Sequence, residues 1–203
     1  SLQNLVERLA EKGFIVRTSK TSEWIKYLDW LARNNIESDG RGLGFWIRHW
    51  LKGHMDAAVR KRLRACGLFF WEDAKVAPVM EAGRRFISPQ LTGEAILTVG
   101  SALHEMLHPS CGVILIGPFG CMPSRVAESI LGERFTAEVM RAIHNGRAPH
   151  DRETALAREI LNTIPPKHKL PFLAIETDGN IFPQLIEARL EAFMLQARRL
   201  NDQ

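Results

Sequence analysis

Short, uniformly apolar segments alternate with helical patterns along this chain, and that alternation constrains the fold more than any other feature. Four such segments occur, at residues 14–16, 95–99, 113–116 and 172–175. Strands that are apolar on both sides are typical of parallel sheets covered by helices on both faces. The sequence therefore predicts the α/β class, with a small doubly wound (Rossmann-like) parallel sheet of about four strands and a helical side lobe.

Amphipathic patterns fill the intervals between the predicted strands. They predict helices near residues 2–9, 22–31, 43–63, 101–108, 124–135, 151–161 and 183–200. We assign residues 1–203 to a single α/β domain, in which residues from about 22 to 90 form a helical insertion. Because the chain opens at Ser1 without an initiator Met, we expect it to be a fragment of a larger multidomain protein.

The composition is that of an ordinary globular domain, with 45% hydrophobic and 25% charged residues. No apolar run approaches the roughly 18 residues that a membrane span needs, and no leader pattern is visible. The three cysteines, Cys66, Cys111 and Cys121, are too few and too scattered for a secreted disulfide framework. We therefore expect a cytoplasmic protein with reduced thiols.

A basic helix is predicted over residues 43–63, and it bears on the choice of partner. Its apolar residues are Leu43, Ile47, Trp50, Leu51 and Val59, and its basic residues are Arg48, Lys52, Arg60, Lys61, Arg62 and Arg64. Such a helix could bind nucleic acid or a membrane surface. The chain has no recognisable nucleic-acid motif, however, and Trp46 and Trp50 have the i, i+4 spacing of a core stripe. We predict neither a nucleic-acid nor a membrane partner.

The best candidate for chemistry is the loop at residues 117–123, which follows a predicted strand. Functional groups in parallel α/β sheets gather in loops just past the carboxyl ends of the strands. Cys121 lies in this loop immediately before a predicted helix, whose dipole favours the thiolate that metals and iron–sulfur clusters bind. The alternative stays open that Cys121 is a small buried apolar residue, as most free cysteines are.

The remaining thiols and a second loop complete this set of candidates. Asp178-Gly179 follows the strand at residues 172–175 and reads either as a functional carboxylate or as a turn. Cys111 is expected at the opposite edge of the sheet from Cys121, and Cys66 at the end of a helix. Since no Cys-x-x-Cys pair occurs, a cluster on Cys121 would need ligands from elsewhere.

One motif points to a different class of protein. The segment His104-Glu105-Met106-Leu107-His108 matches the metalloprotease pattern of two histidines one helical turn apart with a glutamate between them. Glu128 lies at a suitable separation for a third zinc ligand. Pro109 ends the helix at once, and a strand intervenes before Glu128, so a zinc hydrolase is the less favoured reading and an exposed amphipathic helix the default.

Several segments together resemble a known family. They are Ser22-Glu23-Trp24, Ile87-Ser88-Pro89, residues 93–100, the loop Gly117-Pro118-Phe119-Gly120-Cys121-Met122-Pro123, Asp178-Gly179, and residues 189–193 and 196–198 of the last helix. In this order they resemble the C-terminal region of large proteins related to 2-hydroxyacyl-CoA dehydratases and their activases. The Pro-Phe-x-Cys-Met-Pro loop is the most specific part.

The resemblance implies an ATP-driven electron-transfer system of anaerobic metabolism. Cys121 would be one ligand of a [4Fe-4S] cluster shared with other domains of the parent protein, which would act on an acyl-CoA substrate. The cofactor surroundings would comprise Gly117, Pro118, Phe119, Gly120, Met122, Pro123, Asp178 and Gly179.

Three departures from the pattern of the family that the chain resembles limit what this domain does alone. It lacks the phosphate-binding motif of the ATPase and the partner cysteines, and Ser124 stands where many relatives have glycine. We therefore expect no catalytic residues in this domain and no activity when it is isolated. The alternative function is a cofactor-free docking domain, which binds another domain of the parent through its basic helix or an exposed sheet edge.

Overall fold

A computed structural model describes residues 4–34, 36, 43–66, 76–91, 93–146, 152–177 and 183–202. The chain divides into two compact units. The sheet unit comprises residues 1–19 and 77–203, and the helical unit comprises residues 20–76. The described part of the chain is mixed α/β and mostly helical.

The elements follow one another in an order that places a run of helices between the two strands. They are α1 (Leu5–Glu11), α2 (Thr21–Arg33), α3 (Leu43–Ala65), α4 (Val76–Gly83), α5 (Ala95–Glu105), β1 (Val113–Gly117), α6 (Met122–Arg134), α7 (Ala137–Asn145), α8 (Arg152–Thr163), β2 (Phe172–Glu176) and α9 (Pro183–Asn201).

The sheet consists, within the described residues, of β1 and β2 in parallel. Val113 pairs with Phe172 and Gly117 with Glu176. One further hydrogen bond continues the ladder at the carboxyl end, where the Thr177 amide donates to the Gly117 carbonyl over 2.9 Å. The parallel α/β class predicted from the sequence is thus confirmed for these two strands, with α6, α7 and α8 forming the crossover between them.

Helices pack on the sheet from both sides. One face packs into a core in which Leu173 and Ile175 of β2 meet apolar residues of α1 and α9, namely Leu5, Leu9, Leu190, Phe193 and Ala197. Successive side chains of a strand point to opposite faces. On the other face α6 contacts both strands, and the ring of Phe172 lies edge-on to that of Phe135, with centroids 6.3 Å apart.

The predicted strand at residues 95–99 is wrong, because these residues begin α5. Seven residues of α5 are buried: Ala95, Ile96, Leu97, Val99, Gly100, Ala102 and Leu103. A short, continuously apolar run fits a buried helix as well as a buried strand. Glycines let α4 and α5 approach closely, since a Cβ on Gly83 would lie 2.5 Å from the Ile96 carbonyl oxygen. The sheet therefore lacks this strand.

The strand predicted at residues 14–16 is not formed: these residues have no regular secondary structure and join no sheet in the described part of the chain. Phe14 and Val16 pack against the core shared by α1, β2 and α9, whereas Ile15 is 96% exposed. The segment therefore keeps the in–out alternation of a strand without strand pairing. With two of the four predicted strands found, the doubly wound four-stranded sheet is not observed.

The predicted helix over residues 43–63 is confirmed as α3, but its interpretation as a core stripe is wrong where it can be tested. Trp50 is 63% exposed, and the Trp46 side chain lies outside what the structure describes. Amphipathic spacing shows that a helix has an apolar face and does not show what covers that face. In α3, the apolar side chains that the structure describes are mostly exposed to solvent.

Candidate functional site

The loop at residues 117–123 joins the end of β1 to α6 by a tight turn. The Cys121 amide donates to the Pro118 carbonyl over 3.2 Å. Gly120 has φ of +70°, a backbone conformation that glycine adopts without steric cost. Cys121 is then the N-cap of α6, with extended backbone (φ −68°, ψ 108°), and its carbonyl accepts the Arg125 amide over 3.0 Å. The predicted position of Cys121, after a strand and before a helix, is confirmed.

The first turn of α6 lies directly on the end of β1. A Cβ on Gly117 would be 2.6 Å from Ser124 Oγ and 2.8 Å from Ser124 Cβ. Gly117 is therefore required because Ser124 fills the space that a side chain would occupy. This glycine accommodates Ser124, and the pair fixes where the first turn of α6 lies relative to the end of β1.

Cys121 is half-buried at the surface, between two large exposed apolar side chains. Phe119 is 66% exposed and Met122 is 74% exposed. We call these two exposed apolar residues and the partly exposed thiol of the same loop, Phe119, Cys121 and Met122, the apolar rim. The alternative of a fully buried, inert cysteine does not describe Cys121.

The segment before α5 adjoins the loop from the side. A Cβ on Gly93 would lie 4.0 Å from Pro123 Cγ, and Gly93 has φ of +132°. Residues 93–100 and the loop are therefore neighbours in space, although the rest of α5 and β1 separate them in sequence.

A charged network lies one helical turn beyond Cys121. The guanidinium of Arg125 is 2.7 Å from Glu128 Oε2 and 3.4 Å from Glu176 Oε1 at the end of β2. With about 56% of its side chain exposed, Arg125 holds these carboxylates only through solvent-screened contacts. Sequence reasoning missed this network, because the Arg125–Glu176 contact depends on the register of β1 and β2. The one available signal was an arginine four residues after the cysteine.

The other two thiols lie away from this loop or in the other unit. Cys111 precedes β1, as predicted, so a five-residue strand of about 16 Å separates it from the loop. Burial raises the pKa of the Cys111 thiol, and a backbone hydrogen bond partly offsets that effect. Cys66 follows α3 in the helical unit and is exposed. No group of three His, Cys, Asp or Glu side chains able to hold a metal ion occurs among the described residues.

The histidine motif does not assemble a zinc site from the described side chains. Helix α5 ends at Glu105, so His108 lies beyond it, and the two imidazole rings are edge-on with centroids 6.1 Å apart. Glu105 faces Arg17 at 3.8 Å, and His108 Nδ1 faces Glu153 Oε2 at 3.7 Å. Glu128 belongs to the Arg125 network instead.

Asp178 and Gly179, the second predicted loop, lie outside the described residues. The last described positions of that segment are Glu176 and Thr177, which end β2 beside Gly117. Glu176 and Thr177 themselves lie at the end of the sheet from which the loop with Cys121 leaves.

Comparison of the chain with protein-family models, with curated proteins and with solved structures finds no match. A search of the described residues also finds no helix long and apolar enough to cross a membrane.

Proposed function

We propose that this domain supplies one thiolate, Cys121, to a [4Fe-4S] cluster shared with other domains of its parent protein. The parent would belong to the ATP-driven electron-transfer systems of 2-hydroxyacyl-CoA dehydratases and their activases, which the sequence resembles. One observation carries the proposal: Cys121 is an accessible N-cap thiol at the carboxyl end of two parallel strands.

The surroundings of Cys121 fit a cluster ligand. Cysteine sulfurs are the usual ligands of iron–sulfur clusters, and Cys121 is a partly exposed residue at the N-cap of α6. The turn around Gly120 and the Gly117–Ser124 contact hold the residue on rigid elements, as a ligand site requires. When bound, a [4Fe-4S] cluster supplies one-electron transfer, at a potential set partly by its exposure to solvent.

The apolar rim supports a site completed by another domain. Phe119 and Met122 expose most of their surface, and covering them would remove apolar area from water, at about 25 cal/mol per Å². Cys111, at the other end of β1, is too far away to share a cluster with Cys121.

The parent acts on a 2-hydroxyacyl-CoA, whereas this domain holds a ligand and carries no catalytic residue. The protein works in the cytoplasm, where thiols stay reduced. The helices on both faces of the sheet, α6 on one face and α1 and α9 on the other, support a doubly wound plan for the domain.

The test is the iron and acid-labile sulfide content of the full-length parent protein, purified without oxygen, as wild type and as Cys121→Ser. We expect the variant to lose the cluster, while Cys66→Ser, the control at an exposed cysteine, retains it. Unchanged urea unfolding of Cys121→Ser would show that the loss is local. An intact cluster in Cys121→Ser would refute the assignment and leave the cofactor-free docking function.

A further inference from the structure

Helix α3 presents an apolar stripe that the described chain leaves exposed. The stripe consists of Ile47, Leu51, Met55 and Val59, with Trp50 beside it. Their exposed fractions are 57%, 50%, 61% and 52%, with 63% for Trp50. The described side chains of the 23-residue helix include no buried one. An apolar surface of this size and continuity marks an interaction site.

The four-residue spacing of the stripe indicates what shape it fits. Residues at i, i+4, i+8 and i+12 form one ridge, which turns by about 40° around the helix at every step. From Ile47 to Val59 it turns by about 120° over about 18 Å. Ridges of this kind pack into the grooves of a second helix that crosses the first. A flat lipid surface would contact one end of the ridge and miss the other.

The charge of the same helix indicates what chemistry it fits. Residues 50–65 contain five cationic side chains against one carboxylate, Asp56. Asp56 pairs with Arg60 on the same helix, and Lys52 lies 2.9 Å from Asp29 of α2. Lys61, Arg62 and Arg64, at the C-terminal end, are exposed. A second copy of α3 would bring like charges together and is disfavoured.

We propose that α3 is the docking surface for an acidic amphipathic helix of a partner protein. Apolar residues of the partner helix would pack against the stripe, and its carboxylates would face Arg62, on the side of the stripe, and Lys61 next to it. The C-terminal end of α3 carries the partial negative charge of the helix dipole, which stabilises cations there. The cationic residues therefore do not destabilise α3 when no partner is bound. This proposal is independent of the role of Cys121.

The test is fluorescence anisotropy with the full 203-residue chain and a labelled synthetic helical peptide. The peptide carries leucines at four-residue spacing flanked by glutamates, and a twin has lysine at every glutamate position. We expect the acidic peptide to bind at least about tenfold more tightly than its twin, with affinity that falls as salt rises.

Two variants with matched controls separate the apolar and the charged contributions. Met55→Glu should weaken binding of the acidic peptide about tenfold, whereas Leu195→Glu on α9, at a residue of similar exposure (58% against 61%), should not. Joint reversal of Lys61 and Arg62 to Glu should weaken it as well. Reversal of the exposed Arg189 and Arg199 of α9 should leave it unchanged.

The same chain is tested for the rival occupants of the stripe. Phosphatidylcholine vesicles with and without phosphatidylserine probe a membrane, and sedimentation equilibrium probes a second copy. The proposal would be overturned if both peptides bound equally or if the acidic peptide did not bind. It would also be overturned if Met55→Glu abolished vesicle binding or self-association and left peptide binding unchanged.

Discussion

The sheet unit and the helical unit each contain a helix with an exposed or buried row of apolar residues, and the two helices, α5 and α3, differ in how much of that row is buried. Seven of the eleven residues of α5 are buried, whereas the described side chains of α3 include none. Each helix also carries an internal glycine. A Cβ on Gly100 of α5 would overlap the Val79 carbonyl oxygen, but a Cβ on Gly53 of α3 would meet nothing within 4 Å.

The difference shows that the same residue type has two physical meanings. In α5, glycine is required because the backbone of α4 occupies the space of a side chain. In α3, glycine only lowers helix propensity, by about 1 kcal/mol relative to alanine. Packing therefore stabilises the pair of helices α4 and α5, whereas no described side chain of α3 is buried, which leaves α3 more dependent on its own backbone hydrogen bonds.

The largest effect is expected from Gly100→Ala in the sheet unit. Because the new methyl group would overlap the Val79 carbonyl, α4 and α5 must move apart, and we expect unfolding free energy to fall by about 3 kcal/mol. Urea denaturation measures it. Gly132→Ala in α6, where a Cβ meets nothing within 4 Å, is the control and should not destabilise. A neutral Gly100→Ala would show that the two helices do not pack as described.

Gly117→Ala should have the next largest effect, about 1 to 2 kcal/mol of destabilisation. Its methyl group would lie 2.6 Å from Ser124 Oγ, so the first turn of α6 must shift. The double variant Gly117→Ala with Ser124→Gly removes that contact and should recover most of the loss in the same urea experiment. Without recovery, the cost would have to come from the backbone of the loop.

Gly53→Ala should have the opposite sign. With open space around the position, alanine should stabilise α3 by up to about 1 kcal/mol. Hydrogen exchange measured by mass spectrometry should show slower exchange in peptides from α3 and no change in those from α5. Destabilisation would mean that Gly53 lies against something, and the contrast between the two units would then be smaller than the structure indicates.

These contrasts mark how far the sequence alone could predict the molecule. The sequence predicts four elements correctly, β1, β2, α6 and α9. In each of them the length, the periodicity and the flanking residues together distinguish helix from strand. Residues 95–99 were not predicted correctly, since burial on all sides removes the periodicity that distinguishes helix from strand. The short helices α4 and α7 were missed, although Thr136 accepts the Val139 amide over 3.4 Å as an N-cap and was a usable signal.

In the candidate site, too, the features set by local sequence were predictable and those set by tertiary contacts were not. The place of Cys121 follows from local sequence, a strand followed by a glycine turn and a helix start. The exposed rim and the Arg125–Glu176 contact depend on what covers the surface and on strand register, which no local pattern encodes. For α3 the amphipathic pattern was read correctly, and the burial inferred for Trp50 was wrong for the same reason.

The smallest predicted effect is on the pH dependence of stability and concerns Cys111 of the sheet unit, for which Cys66 of the helical unit is the comparison. Burial raises the pKa of Cys111, so its neutral thiol is favoured in the folded state more than in the unfolded chain. Its contribution to stability is fully present below the ordinary thiol pKa and is lost as pH rises through the raised one. The stability of the wild type should therefore fall more steeply in mildly alkaline solution than that of Cys111→Ala.

Alkylation by iodoacetamide, followed by mass spectrometry across the same pH range, reports the thiol directly. Cys66, which is exposed, should react first, and Cys111 should reach half-maximal rate at a pH above that of a free thiol, about 8.5. If Cys66 and Cys111 were alkylated at equal rates in urea, the difference between them in the native protein would come from the fold. If Cys111 reacted as fast as Cys66 in the native protein, the amino end of β1 would be open to solvent, and the packing ascribed to the sheet unit would not extend to it.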